Sequence, residues 1–208
     1  MRLSPAGKVF RSLIVLSAAL AAPLPLWANQ SAVYTTYYED GSLQWERSYR
    51  DGKQDGVTRC YYPGGGLQGE SRFRDGKLHG IFRTFHSDGT PESELVYADD
   101  RLDGTSRFFY PGGAVQMEVN FKADKREGVS REYYESGDLK SDWNYRSGDL
   151  DGLTPQYYPG GFLKAEANFV RGKRDGTTRT YSSEGQVLFT HLYDQGRLVA
   201  SKPGPAEP

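Results

Sequence analysis

The 208-residue sequence predicts an all-β fold: tandem β-hairpin repeats joined into an elongated, twisted, single-layer antiparallel sheet. Two periodic columns and the composition predict it. An aromatic residue stands at every twelfth position from Tyr37 to Tyr193, and Asp-Gly, His-Gly or Glu-Gly pairs recur every 24 residues at 55–56, 79–80, 103–104, 127–128, 151–152 and 175–176. Self-similarity at one fixed period is the mark of a repeat architecture. The 15 Tyr, 10 Phe and 25 Gly residues, set against few aliphatics, suit short strands joined by tight turns.

The chain opens on a segment outside that frame. Arg2, Lys8 and Arg11 form a positive stretch, and Ser12 to Leu26 form an apolar one broken by Pro23 and Pro25. This is the pattern of a secretory signal peptide over residues 1–28, with cleavage after Ala28 or, alternatively, near Ala22. The apolar stretch is shorter than the ~20 residues a membrane-spanning helix needs, which argues against an anchor. The protein is therefore expected to be exported, to the periplasm or the medium. Cys60 is the only cysteine, so no internal disulfide forms and stability must come from stacking of the repeats.

Seven 24-residue units fill residues 31–198. In each, a β-rich stretch such as Val57 to Tyr62 carries the first aromatic column, which runs from Tyr37 to Tyr181. A triplet such as Glu39-Asp40-Gly41 or Pro63-Gly64-Gly65 follows and fits a three-residue hairpin loop, a type I turn ending on a left-handed glycine. That register sets Tyr61 opposite Leu67, whereas a two-residue loop pairs Arg59 with Glu70. The return strand ends in the second aromatic column, from Tyr49 to Tyr193, and a turn such as Asp51-Gly52-Lys53 leads onward. The cycle gives fourteen strands, two in each of seven units. An arginine column (Arg59, Arg83, Arg107, Arg131, Arg179) faces an acidic one (Glu46, Glu70, Glu94, Glu118, Asp142, Glu166). Pro155 replaces the arginine and lacks a backbone donor, so its strand is expected to bulge. Ser31 and Ala32 lack the opening glycine, as a terminal cap does, and residues 199–208 read as a disordered tail.

Residues 52–73 read Gly52-Lys53-Gln54-Asp55-Gly56, then Tyr61-Tyr62, Gly65, Leu67 and Phe73. The next stretch repeats the form from Gly76-Lys77-Leu78-His79-Gly80 through Phe85 and Gly89 to Tyr97. On these residues the chain resembles the MORN repeat variant family, and the likeness runs over residues 31–198. Tyr193-Asp194-Gln195-Gly196-Arg197-Leu198 also looks like one YD repeat of polymorphic-toxin shells, a form the other units do not keep. Choline- and glucan-binding wall repeats rely on paired Trp, and only Trp45 and Trp143 follow the signal segment. The MORN resemblance implies a repeat scaffold that mediates protein–protein interaction. Similar bacterial proteins are commonly labelled antitoxins of toxin–antitoxin systems, which implies a toxin as the partner. Eukaryotic MORN proteins are often linked to membranes, which implies contact with lipid or cell-wall glycan as the alternative.

Other classes lose ground on the residues themselves. Removing Arg2, Lys8 and Arg11 leaves 23 basic against 27 acidic residues, a net −4 with no basic block. Nucleic acid and anionic lipid are poor partners for such a surface. His79, His86 and His191 fall in three different columns without ligand spacing, and no metal or cofactor is expected. The glycines sit in turns and open no helix, which removes phosphate-loop readings. Glu94 and Glu118 offer a carboxylate pair of the glycosidase kind, but a column repeated along the chain is scaffold. No catalytic residue is assigned and no enzymatic activity is expected. What remains is the displayed surface. The second tyrosines Tyr38, Tyr62, Tyr110, Tyr134 and Tyr158, with Arg59, Arg83, Arg107 and Arg131, form the expected interaction face.

Overall fold

A computed structural model describes residues 31–205. The signal segment expected over 1–28 and the last three residues of the expected tail lie outside the described residues. The first units comprise β1 (Ala32–Tyr37), β2 (Leu43–Arg50), β3 (Lys53–Tyr61), β4 (Leu67–Arg74), β5 (Lys77–Leu78), β6 (Gly80–Phe85) and β7 (Pro91–Ala98). The middle units comprise β8 (Arg101–Leu102), β9 (Gly104–Phe109), β10 (Val115–Lys122), β11 (Lys125–Arg126), β12 (Gly128–Tyr133) and β13 (Leu139–Arg146). The last comprise β14 (Asp149–Leu150), β15 (Gly152–Tyr157), β16 (Leu163–Val170), β17 (Lys173–Tyr181), β18 (Val187–Asp194) and β19 (Arg197–Pro203). All nineteen belong to one antiparallel sheet in which chain neighbours pair. The expected all-β sheet of tandem hairpins is the fold observed.

Four of the short pieces, β5, β8, β11 and β14, are the beginnings of the strands that follow them. Each is cut off by a bulge at the Asp-Gly or equivalent pair. Between Tyr49↔Gln54 and Arg47↔Thr58 the register jumps, so Asp55, Gly56 and Val57 together oppose Ser48. The glycine of that pair has positive φ in all six units that carry it, from +78° at Gly128 to +124° at Gly104, which explains why the column is glycine. The carbonyl freed by the bulge is not left bare. Ser48 Oγ donates to the Val57 carbonyl at 2.8 Å, and Asn120 Nδ2 to that of Val129 at 2.6 Å.

Both turns of the unit behave as the sequence predicts, with one refinement. The Tyr62 amide donates to the Gly66 carbonyl and the Gly65 amide to the Tyr62 carbonyl, closing the three-residue loop. Tyr61 pairs with Leu67, yet Arg59 pairs with Glu70 in the same hairpin. The two registers are not alternatives. A one-residue shift between Cys60 and Tyr61 lets both exist, and it recurs in each hairpin at the equivalent place. The connecting turns have positive φ at both central residues, for instance Asp51 (49°) with Gly52 (76°) and Asp99 (49°) with Asp100 (70°). That is the two-residue turn whose twist matches a hairpin.

Two expectations are corrected. Pro155 does not bulge its strand, since Thr154↔Ala167, Pro155↔Glu166 and Gln156↔Ala165 stay in step. Its missing donor shows on the other side, where β15 meets β13 through the single pair Ser141↔Gln156. The equivalent junction at β10 and β12 has two pairs. The tail is also not wholly disordered: residues 199–203 belong to β19, in which Ala200 pairs with Leu192 and Pro203 with Phe189. The open edge of β18 supplies the backbone partners, which outweighs the poor propensity of a Ser-Lys-Pro segment.

The sheet is a single layer, but it has an inside. Every buried side chain among the described residues, from Thr58 and Cys60 through Phe82, Leu95, Ser106 and Val119 to Ala167 and Thr178, lies on one face. A flat layer leaves both faces open. Bulges bend a sheet, and two in each unit curl this one around that inner face.

Candidate functional site

The second tyrosines prove to be staples between units. Tyr38 donates its hydroxyl to the Tyr61 carbonyl at 2.7 Å, Tyr62 to that of Phe85, Tyr110 to Tyr133, Tyr134 to Tyr157 and Tyr158 to Tyr181. Each bond reaches 23 residues forward into the next unit. All five rings are half-buried along the hairpin margin. His86 and Ser182 hold the equivalent positions in the two units that lack the staple.

The arginine column lies on the outer face, interleaved with the acids. Arg59 Nε donates to Glu70 at 2.7 Å with Glu46 3.7 Å away, and Arg83 bonds Glu94 at 2.9 Å with Glu70 at 3.9 Å. Arg107 continues the ladder with Glu118 and Glu94, and Arg131 meets Asp142 at 3.4 Å. These side chains are roughly half-exposed, so each pair contributes about 0.2–1 kcal/mol. Their order is what they supply. Glu94 and Glu118, the pair with the look of a glycosidase, are both engaged by Arg107. The first aromatic column joins the ladder: Tyr61 donates to Glu46 at 2.7 Å and Tyr181 to Glu166 at 2.7 Å. Burial, reinforced by the neighbouring carboxylate, pushes the Tyr61 phenol up to about 12. Tyr133 and Tyr181 move in the same direction for the same causes.

The inner face carries what the columns do not explain. Two cross-strand rows run along it. One passes Ser130, Trp143, Thr154, Ala167, Thr178 and His191, and the other Ser141, Gln156, Ala165, Thr180 and Phe189. In the earlier units a large residue in one row covers small ones in the other. Phe82, for instance, lies over Gly69, where an added Cβ would meet its ring at 3.6 Å. From Thr154 to Thr180 neither row carries a bulky apolar side chain, and the space stays open. The result is a cavity of about 580 Å³, floored by those residues and walled by Trp143, Phe169, His191 and Tyr193.

Three residues that line the cavity each carry a fully buried polar atom without a hydrogen-bond partner, Thr154 Oγ1, Thr178 Oγ1 and His191 Nδ1. Thr154 and Thr178 are 3% and 6% exposed. The His191 ring stacks on Phe189 with centroids 5.9 Å apart, and Arg174 lies 5.3 Å over the Tyr193 ring. The sequence reading missed this site because it tracked what repeats. The available signal was the opposite one, four neighbouring inner positions of the sixth unit (Thr154, Gln156, Ala165, Ala167) without a bulky apolar side chain.

The structure therefore separates the residues expected to act together. The tyrosines line the hairpin margin, the arginines the outer face, and the cavity opens on the inner face. Compared with known families, the chain matches the model of the MORN repeat variant over residues 78–99, 102–123 and 126–147. No curated protein matches the chain.

Proposed function

Residues 78–147 are three consecutive MORN repeat variants, and on that premise we propose that the chain is an exported, non-catalytic scaffold that holds a protein partner. One observation carries this reading. Repeat proteins cap their ends with polar surface, because an end unit has a neighbour on one side only. Here both ends expose large apolar side chains. Val33, Tyr34 and Tyr37 are exposed on the first strand, and Leu188, Phe189, Leu192, Leu198 and Val199 on the last hairpin. Exposed apolar side chains gathered in this way mark association surfaces. Export is supported by the positive and then apolar N-terminal stretch. The absence of catalysis is supported by the full commitment of the acidic column to arginines and tyrosines. The net −4 of residues 29–208 favours a protein over an anionic polymer.

The tagged, processed protein is expected to retain one protein in stoichiometric amount from envelope extract. Leu192→Glu combined with Val199→Glu should release it while circular dichroism stays unchanged. Retention of the same partner by the double variant rules out this surface. A retained partner that is toxic when produced alone supports an antitoxin-like role, and a harmless one removes it. Sedimentation of the protein with lipid vesicles in place of protein capture would favour the envelope alternative.

A further inference from the structure

The proposed protein contact leaves the cavity of the fifth to seventh units without a role. We infer that it is a binding site for a small monocarboxylate with an aromatic body, its carboxylate held by Arg174. Three observations lead there. The volume of about 580 Å³ falls within the range of small-molecule sites. The lining is apolar and largely aromatic over Trp143, Leu150, Phe169 and Tyr193. Arg174, on the same lining, is a cation without a carboxylate. Its guanidinium lies 5.3 Å over the Tyr193 ring and donates to the Tyr193 hydroxyl at 3.3 Å, and it meets no acid among the described residues. Arg59, Arg83, Arg107, Arg131 and Arg179 each have an acid as partner.

The charges of the lining select the ligand. Glu166 is its only acid among the described residues, and Arg179 and Tyr181 already hold that carboxylate. Gln156 and Thr180 are neutral, His191 buries its Nδ1 and stacks on Phe189, and Arg174 stays cationic at any physiological pH. The site thus offers an uncompensated positive charge beside an apolar wall. A neutral ligand would strip water from the guanidinium and return no charge to it, and an amine would add repulsion. A dianion would bring a second charge without a partner. Inorganic phosphate would pair with Arg174 yet leave the aromatic wall bare. An aromatic monocarboxylate answers both features. One guanidinium N–H goes to the Tyr193 hydroxyl, and the others can form the two parallel bonds that a carboxylate accepts. The ligand's ring then covers the aromatic wall, a contact favourable beyond the area it buries.

The test titrates the purified protein, by heat, with probes that share one aromatic body and differ in charge: hydrocinnamate, its neutral amide hydrocinnamamide, and phenylpropylamine. Hydrocinnamate should bind with one-to-one stoichiometry and about tenfold or more tighter than the amide, and the amine should not bind. Arg174→Met keeps an apolar chain beside Tyr193 and removes the charge, so acid and amide should bind it alike. Arg174→Lys should retain part of the preference. Ala167→Trp places in the cavity the residue that Trp143 supplies at the equivalent position one unit earlier, and should abolish binding. The inference is overturned if no probe binds at millimolar concentration, if acid and amide bind the unaltered protein alike, or if inorganic phosphate binds more tightly than hydrocinnamate. It is equally overturned if the preference for the acid survives Arg174→Met, or if folded Ala167→Trp binds as the parent does. Should the variants fail to fold, the comparison of acid with amide on the unaltered protein decides alone.

Discussion

Gly104 has a φ of +124°, and a Cβ placed on it would stand 2.9 Å from Val96 Cγ1. Gly128 holds the equivalent position one unit further on, with φ +78° and open space around it. The same substitution therefore has two costs. Gly128→Ala is expected to destabilise by about 1 kcal/mol, from backbone strain alone. Gly104→Ala should cost about 3 kcal/mol or more, because the strain is greater and Val96 must also move. Urea midpoints of the two variants compare them directly, and equal midpoints would contradict the packing argument. The column itself was readable from the sequence, as a glycine repeated every 24 residues at a position whose φ lies between +78° and +124°. The difference within it was not, because Val96 sits in the preceding strand. Residue roles that depend on curling were hidden for the same reason. Asp55, Asp103 and Glu127 accept hydrogen bonds from the backbone amides of turn residues 75, 123 and 147, twenty positions on. Sequence spacing shows an acid before a glycine and nothing of that contact.

At the level of the strand, Pro155 is the sharpest test of how the ladder works. Its neighbours keep their pairing on the β16 side and lose a pair on the β13 side. It also leaves Asp142 and Glu166 without the arginine that stands between the acids of other units. Pro155→Arg restores a backbone donor and a rung together. It should stabilise the protein by about 1 kcal/mol, the sum of a modest hydrogen bond and an exposed ion pair. A lowered urea midpoint would show that the local backbone has adapted to proline. The replacement was legible in the sequence, and so was its cause, a missing donor. Its consequence was misread as a bulge because a strand held on two sides can lose one partner without bending. The expected registers around Leu67 show the complementary limit. Each was right for part of the hairpin, and only the one-residue shift at Tyr61 joins them.

For the molecule as a whole, stability and association meet at the C-terminal edge. The final strand covers β18 with a segment carrying Lys202 and Pro203, both of which discourage further pairing. Ending the chain after Asp194 uncovers β18, whose Leu188, Phe189 and Leu192 are already exposed. The shortened protein should self-associate with rising concentration, as sedimentation velocity would reveal. A monomer throughout would mean that β19 is no cap. The sheet of tandem hairpins was legible because its pattern recurs every 24 residues along the chain. The cavity was not, because its lining is assembled from strands β13 to β18, which bring residues as distant as Trp143 and Tyr193 to one site. A departure from repetition carries meaning only once the repeated frame has a shape.

The tyrosine staples give the chain a direction. Each is cast by an earlier unit toward a carbonyl 23 residues ahead, and the connecting turns bond backwards over a similar span, as Asp100 does to Leu78. A chain delivered N-terminus first, from any channel, thus has its next partner arriving within one unit of length. No distant segment has to be awaited, so the energetic cost of closing long loops never accumulates. Assembly of such a sheet can keep pace with delivery, one unit at a time, each finished edge serving as the template for the next.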